Sequence, residues 1–77
     1  MATLKDWLET NKEIIDDSHV AIRVRKKTKE NSFETLVESN CMLISDATTL
    51  FGNIELSRVE PTEHNGRYML RMIVMYR

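Results

Sequence analysis

The spacing of apolar residues changes period along the chain, and each change predicts a different element. Near the N-terminus, Leu4, Trp7, Leu8, Ile14 and Ile15 recur at helical spacing, which predicts an amphipathic helix with one apolar stripe. Thr3 precedes the stripe and Asp6 follows three residues later. That pair makes a capping box with Asp in place of the usual Glu. Asp16 and Asp17 would be repelled by the negative end of the helix dipole, so the helix is expected to end near Ile15.

From His19 the period drops to two. In HVAIRVRK, Val20, Ile22 and Val24 alternate with Ala21, Arg23 and Arg25, the pattern of a half-buried strand. Polar residues Thr28 to Asn31 supply a turn. A second strand then places Phe33, Thr35 and Val37 toward the helix and Glu34, Leu36 and Glu38 on the other side. In the register this predicts, Val24 faces Thr35, Ile22 faces Val37, Arg25 faces Glu34, and Arg23 faces Leu36 with Glu38 diagonal to it. Apolar then meets apolar and plus meets minus. Cys41 to Ile44 either continue the strand or form a buried connector. Ser45 or Asp46 would cap a short helix through Leu50 and Phe51 that covers an edge of the core, with Gly52 in the left-handed position after it.

The last third reads as a hairpin about Asn65-Gly66, a strong turn signal. Two registers compete. A two-residue loop pairs Glu60 with Arg71 and Val59 with Met72. A three-residue loop with a bulged Gly66 pairs Leu56 with Val74 and Ile54 with Tyr76, and it is preferred because it gathers apolar residues on one face. Pro61 belongs near an edge or a bulge. The order α-β-β-(short α)-β-β gives an α+β fold, an N-terminal helix packed on a four-stranded antiparallel sheet, as a single domain over residues 1–77.

Composition narrows the function class. The chain has 77 residues, 42% of them hydrophobic and 30% charged, a globular composition. No apolar run approaches the length of a membrane span and no secretory leader is evident. Cys41 is the single cysteine, which suits a reducing cytoplasm. The net charge is −1, yet it falls in blocks. Five acids against two lysines leave residues 1–17 at −3, and five bases against Glu30 leave residues 18–32 at +4. Six acids against Arg58 leave residues 33–63 at −5, and three arginines close the chain. Blocks of opposite sign tend to pair when strands meet, and the basic excess of a nucleic-acid domain is missing.

No residue cluster specifies a reaction. His19, His64 and Cys41 have no spacing that pre-places metal ligands, and Cys41 lacks a neighbouring base. The two glycines, Gly52 and Gly66, form no phosphate loop. The expectation is therefore no catalytic residue, no metal and no small-molecule cofactor. A pocket lined by His19, His64 or Cys41 would reopen the enzymatic reading.

Two surfaces remain. The strand RYMLRMIVMYR is apolar on both sides, and one helix covers only one face of a sheet. Met69, Ile73 and Met75, joined by Leu36 and Val59, are therefore expected on an open outer face with Arg23, Arg25 and Arg71 as its rim. This predicts a non-enzymatic protein-interaction module, binding a protein partner or a second copy as a homodimer. Such a module would be an adaptor, a subunit or a stoichiometric inhibitor, the last resting on size alone as in phage and mobile-element proteins. The alternative is a nucleic-acid-associated domain using Arg23, Arg25, Lys26, Lys27 and Lys29. Against it, Phe33 is expected on the core side, away from the arginines. The leading expectation for the basic stretch is a solvated strand partly paired with Glu34 and Glu38, and a third outcome is contact with an acidic protein surface.

Overall fold

The computed structural model describes residues 2–12 and 18–76. Its elements are α1 (Leu4–Thr10), β1 (His19–Lys29), β2 (Ser32–Leu43), α2 (Ile44–Phe51), β3 (Glu55–His64) and β4 (Arg67–Tyr76). The α+β class and the element order follow the pattern of the sequence. The sheet is mixed, however, with strand order β2-β1-β4-β3. Two antiparallel hairpins lie side by side, and their inner strands β1 and β4 run parallel, with Ala21 beside Arg71 through Lys26 beside Tyr76. The expectation of an all-antiparallel sheet is thus corrected at one pair.

The cause lies in α2. It starts beside the beginning of β1, where the Ile44 amide donates to the Ser18 carbonyl at 2.8 Å. An eight-residue helix spans about 12 Å, enough to carry the chain back along the sheet so that β3 starts at the opposite end from where β2 stops. The second hairpin therefore enters in the opposite sense to the first, and its return strand β4 runs parallel to β1. β4, apolar on both sides, and β1, whose core-side Val20, Ile22 and Val24 are buried, take the centre, where both of their edges are paired.

Both helices pack on one face. Leu4, Leu8 and Ala47 meet Val20, Ile22, Val24, Met72 and Val74 in a buried core, edged by Trp7, Met42, Ile44, Phe51, Ile54, Leu56, Val59 and Leu70. α1 has the expected capping box: the Asp6 amide donates to Thr3 Oγ1 at 3.2 Å, and the Thr3 amide donates to the Asp6 carboxylate. It ends at Thr10 with Asn11 as its C-cap, earlier than expected. The expected extension through Ile14 and Ile15, and Asp16 and Asp17 beyond it, fall outside the described residues. α2 begins after Leu43, with no side-chain cap, and turns Ala47 and Phe51 to the core while Leu50 stays exposed. Gly52 is right-handed, with φ −60°. Its role is close approach. A Cβ there would stand 2.3 Å from the Thr48 carbonyl oxygen and 3.3 Å from Lys5 Cβ, where the Lys5 amide donates to the Gly52 carbonyl. Among the described residues, no helix is long and apolar enough to cross a membrane.

Turn chemistry and bulges set the registers. β1 and β2 continue to a two-residue turn, Glu30-Asn31, with Asn31 at φ 64°. The second turn is Asn65-Gly66, both at positive φ (53° and 77°), as a primed hairpin turn requires. The two registers weighed for this hairpin both occur, in succession. Near the turn Glu60 pairs with Arg71 and Val59 with Met72; beyond a bulge at Ser57, Leu56 pairs with Val74. The three-residue loop is not formed. The bulge supplies the extra residue instead, and it keeps both Val59 and Leu56 on the core side. Val59 therefore does not join the outer face.

Candidate functional site

The face of the sheet away from the helices is built by alternation along four strands. β1 contributes Ala21, Arg23, Arg25 and Lys27, and β4 contributes Met69, Arg71, Ile73 and Met75. β3 adds Arg58, Glu60 and Thr62, which stand opposite Ile73, Arg71 and Met69.

On β2 a bulge decides what arrives. Val24 pairs with Val37, but Arg25 pairs with Thr35, leaving Leu36 as the extra residue. Every β2 position nearer the turn consequently changes side. Glu38 lies directly opposite Arg23, Glu34 moves opposite Lys26, and Phe33 lies opposite Lys27. The predicted β1–β2 register is corrected in this way, and so is the placement of Phe33. It sits on the arginine side, 41% exposed, with the Arg25 guanidinium 4.9 Å from its ring centroid, within cation–π range.

The apolar row expected on display is mostly sealed. Ile73 is 0% exposed and Met69 6%, while Met75 is half-buried and Leu36 exposed. Ile73 lies between Arg23 on β1 and Arg58 on β3. Long arginine stems can cover apolar surface while their heads stay wet, and no other described element lies over this row. The open face is an arginine surface with an apolar floor.

Its charges pair unevenly. Arg23 Nε and Nη2 both donate to Glu38 Oε1, at 3.2 and 2.7 Å. The hydrogen bond from Arg23, then its charge, holds the Glu38 carboxyl below the usual carboxylate range. Glu60 serves two guanidiniums at longer range, Arg58 Nε at 3.4 Å and Arg71 Nη1 at 3.8 Å. Arg71 Nε is buried without a hydrogen-bond partner. Of the residues proposed from sequence, Arg23, Arg25, Arg71, Met69, Ile73 and Met75 converge on this face, with Leu36 at its bulged margin. Glu38, Glu60, Arg58 and Phe33 complete it. Only Phe33 needed a bulge to arrive there, and bulges have no clear signature in the sequence.

Beyond the last β1–β4 pair, Lys26 with Tyr76, β1 and β2 project as a two-stranded ribbon. Lys26, Lys27 and Lys29 are exposed on it. At its base a groove of about 650 Å³ is lined by Lys27, Thr28, Lys29, Glu30, Phe33 and Met75.

At the opposite end the strand termini bring His19, Cys41 and His64 around one cavity of about 270 Å³, with Asn65, Arg67 and Met69. Sequence spacing gave no hint of this convergence. Yet His19 Nδ1 is bonded to Ser18 Oγ at 2.9 Å and His64 Nε2 to Asn65 Nδ2 at 3.3 Å. Neither imidazole is bonded to the thiol. Among the described residues, no three His, Cys, Asp or Glu side chains are grouped to hold a metal ion. The three side chains thus share one cavity, and among the described residues no hydrogen bond links the thiol to an imidazole.

No protein-family model, no curated protein and no solved structure matches this chain.

Proposed function

We propose that this protein is a small cytoplasmic interaction module without catalysis, binding a protein partner or a second copy of itself through the helix-free face of the sheet. The observation that carries this reading is the apolar row Met69, Ile73 and Met75, whose central Ile73 lies between Arg23 and Arg58. A four-stranded sheet with both helices on one side keeps large apolar residues on the other, beneath side chains that can move aside. Arginine and methionine are enriched in protein interfaces, and such a row gives an apolar centre with a charged rim. An adaptor, a subunit or a stoichiometric inhibitor would use such a face equally well. The test is capture with the intact chain beside Met75→Asp and Arg23→Glu variants, together with light scattering on the eluted protein. Loss of capture or of self-association in both variants supports the face. A wild-type chain that remains monomeric and retains nothing rejects it.

One observation favours a second reading, association with nucleic acid. The ribbon carrying Lys26, Lys27 and Lys29 projects past β4, and a two-stranded ribbon fits a major groove. Phosphate contacts would make binding fall steeply with salt. Absence of any shift with DNA or RNA at low salt eliminates this reading.

A further inference from the structure

We infer that the helix-free face docks an acidic protein surface, whose carboxylates are received by Arg71 and its neighbouring arginines. This rests on the reading of that face as a protein-binding surface and names the chemistry of the partner.

The charge balance of the face points to it. Among the described residues, registers place Arg23, Arg25, Lys27, Arg58, Arg67 and Arg71 here, against the carboxylates of Glu38, Glu55 and Glu60. The face is thus net positive on a chain whose total is −1. Pairing leaves a defined vacancy of hydrogen bonding at its centre. Glu60 is shared between Arg58 and Arg71 at 3.4 and 3.8 Å, longer than a charge-assisted bond of about 2.8 Å. Arg71 Nε has no partner although it is buried. A guanidinium fork accepts a carboxylate on two parallel N–H groups, which a lysine cannot do. A carboxylate arriving over Arg71 would meet its exposed Nη–H groups first, and would reach the buried, unpaired Nε–H once the side chains covering it move aside. Around it, Phe33, Leu36 and Met75 offer exposed or half-exposed apolar contact at the margin.

A nucleic acid fits less well than an acidic protein surface. The one aromatic on this face, Phe33, already carries the Arg25 guanidinium, where a base would have to stack. Neither the groove nor the cavity described above is lined by Arg71.

The test uses the full chain, labelled poly-L-glutamate and a thymidine oligonucleotide of matched charge, compared by fluorescence anisotropy at low salt. The peptide is expected to bind, to weaken with salt, and to displace the oligonucleotide. In a ¹⁵N spectrum the Arg71 Nε–H resonance should move during the titration. Arg71→Met keeps an unbranched stem over the apolar row while removing the fork. It should melt near the wild-type temperature and bind the peptide about tenfold more weakly. Lys26→Gln with Lys29→Gln on the ribbon should bind as wild type does. Equal binding by Arg71→Met, stronger binding of the oligonucleotide, or no peptide binding at low salt would each overturn the inference. If the peptide fails while Met75→Asp still abolishes capture of a partner, the acidic class falls and the interaction reading survives.

Discussion

Met72 and Ile73 are neighbours on β4, and both are 0% exposed. They point to opposite faces of the sheet and are hidden by different means. Met72 belongs to a core closed by Leu4, Leu8 and Ala47 from two helices. Ile73 lies between Arg23 and Arg58, with no helix above it. The first cover is fixed by backbone hydrogen bonds and packing. The second consists of side chains with many rotamers and polar ends, so removing it costs little. Equal burial therefore does not mean equal commitment, and a sheet can keep one face in reserve.

That contrast breaks down in a definite order. Met72→Ala or Ile22→Ala should cost the most, about 2–5 kcal/mol in chemical denaturation, because the helix-closed core relaxes poorly around a cavity. A chain of this size has little stability in excess. Ile73→Ala should cost less, about 2 kcal/mol, since the flanking arginine stems can settle into the space. An equal loss at both positions would show that the arginine cover is as rigid as the helices. Arg23→Ala should cost about 1 kcal/mol, through lost cover and a lost surface ion pair, and should increase binding of a hydrophobic dye on that face.

The smallest effect is one of pH. In the folded chain the hydrogen bond and charge of Arg23 hold the Glu38 carboxyl below its ordinary range. The folded state thus favours its ionised form. The stability this contributes is present above the unfolded value and is lost as pH falls through the lower, folded value. Glu38→Gln should flatten that part of the acid-unfolding curve, and added salt should flatten it in the wild type.

The two edges of the sheet repeat the lesson. β3 carries Pro61 and a bulge at Ser57, and its first residues bond the N-terminal segment: Thr3 bridges Glu55, and the Leu56 amide donates to the Ala2 carbonyl. Those are ordinary ways of blunting an edge. β2 has no proline or lysine, and Phe33, Leu36, Val37 and Leu43 stay exposed along it. Its protection rests on two irregularities, at Leu36 and between Ser39 and Met42.

Much of this architecture was legible from residue order alone. Period and capping located α1's start, both hairpins, the short helix and the core side of β1, because those depend on neighbours within a few positions. The Asn65-Gly66 turn was fixed by the φ values that those two residues tolerate. Nothing local distinguishes two adjacent hairpins that meet antiparallel from two that meet with a parallel centre. That choice depends on where α2 sets the chain down, and so on packing between elements far apart in sequence. The bulges at Leu36 and Ser57 are likewise decided by how strands fit together, and each moved the side chains beyond it to the other face. So the sequence determined which residues could be buried or charged. Only tertiary structure decided that Arg23 meets Glu38, that Phe33 lies under Arg25, and that Ile73 is covered by arginines, because a one-residue change in register reverses every side chain that follows.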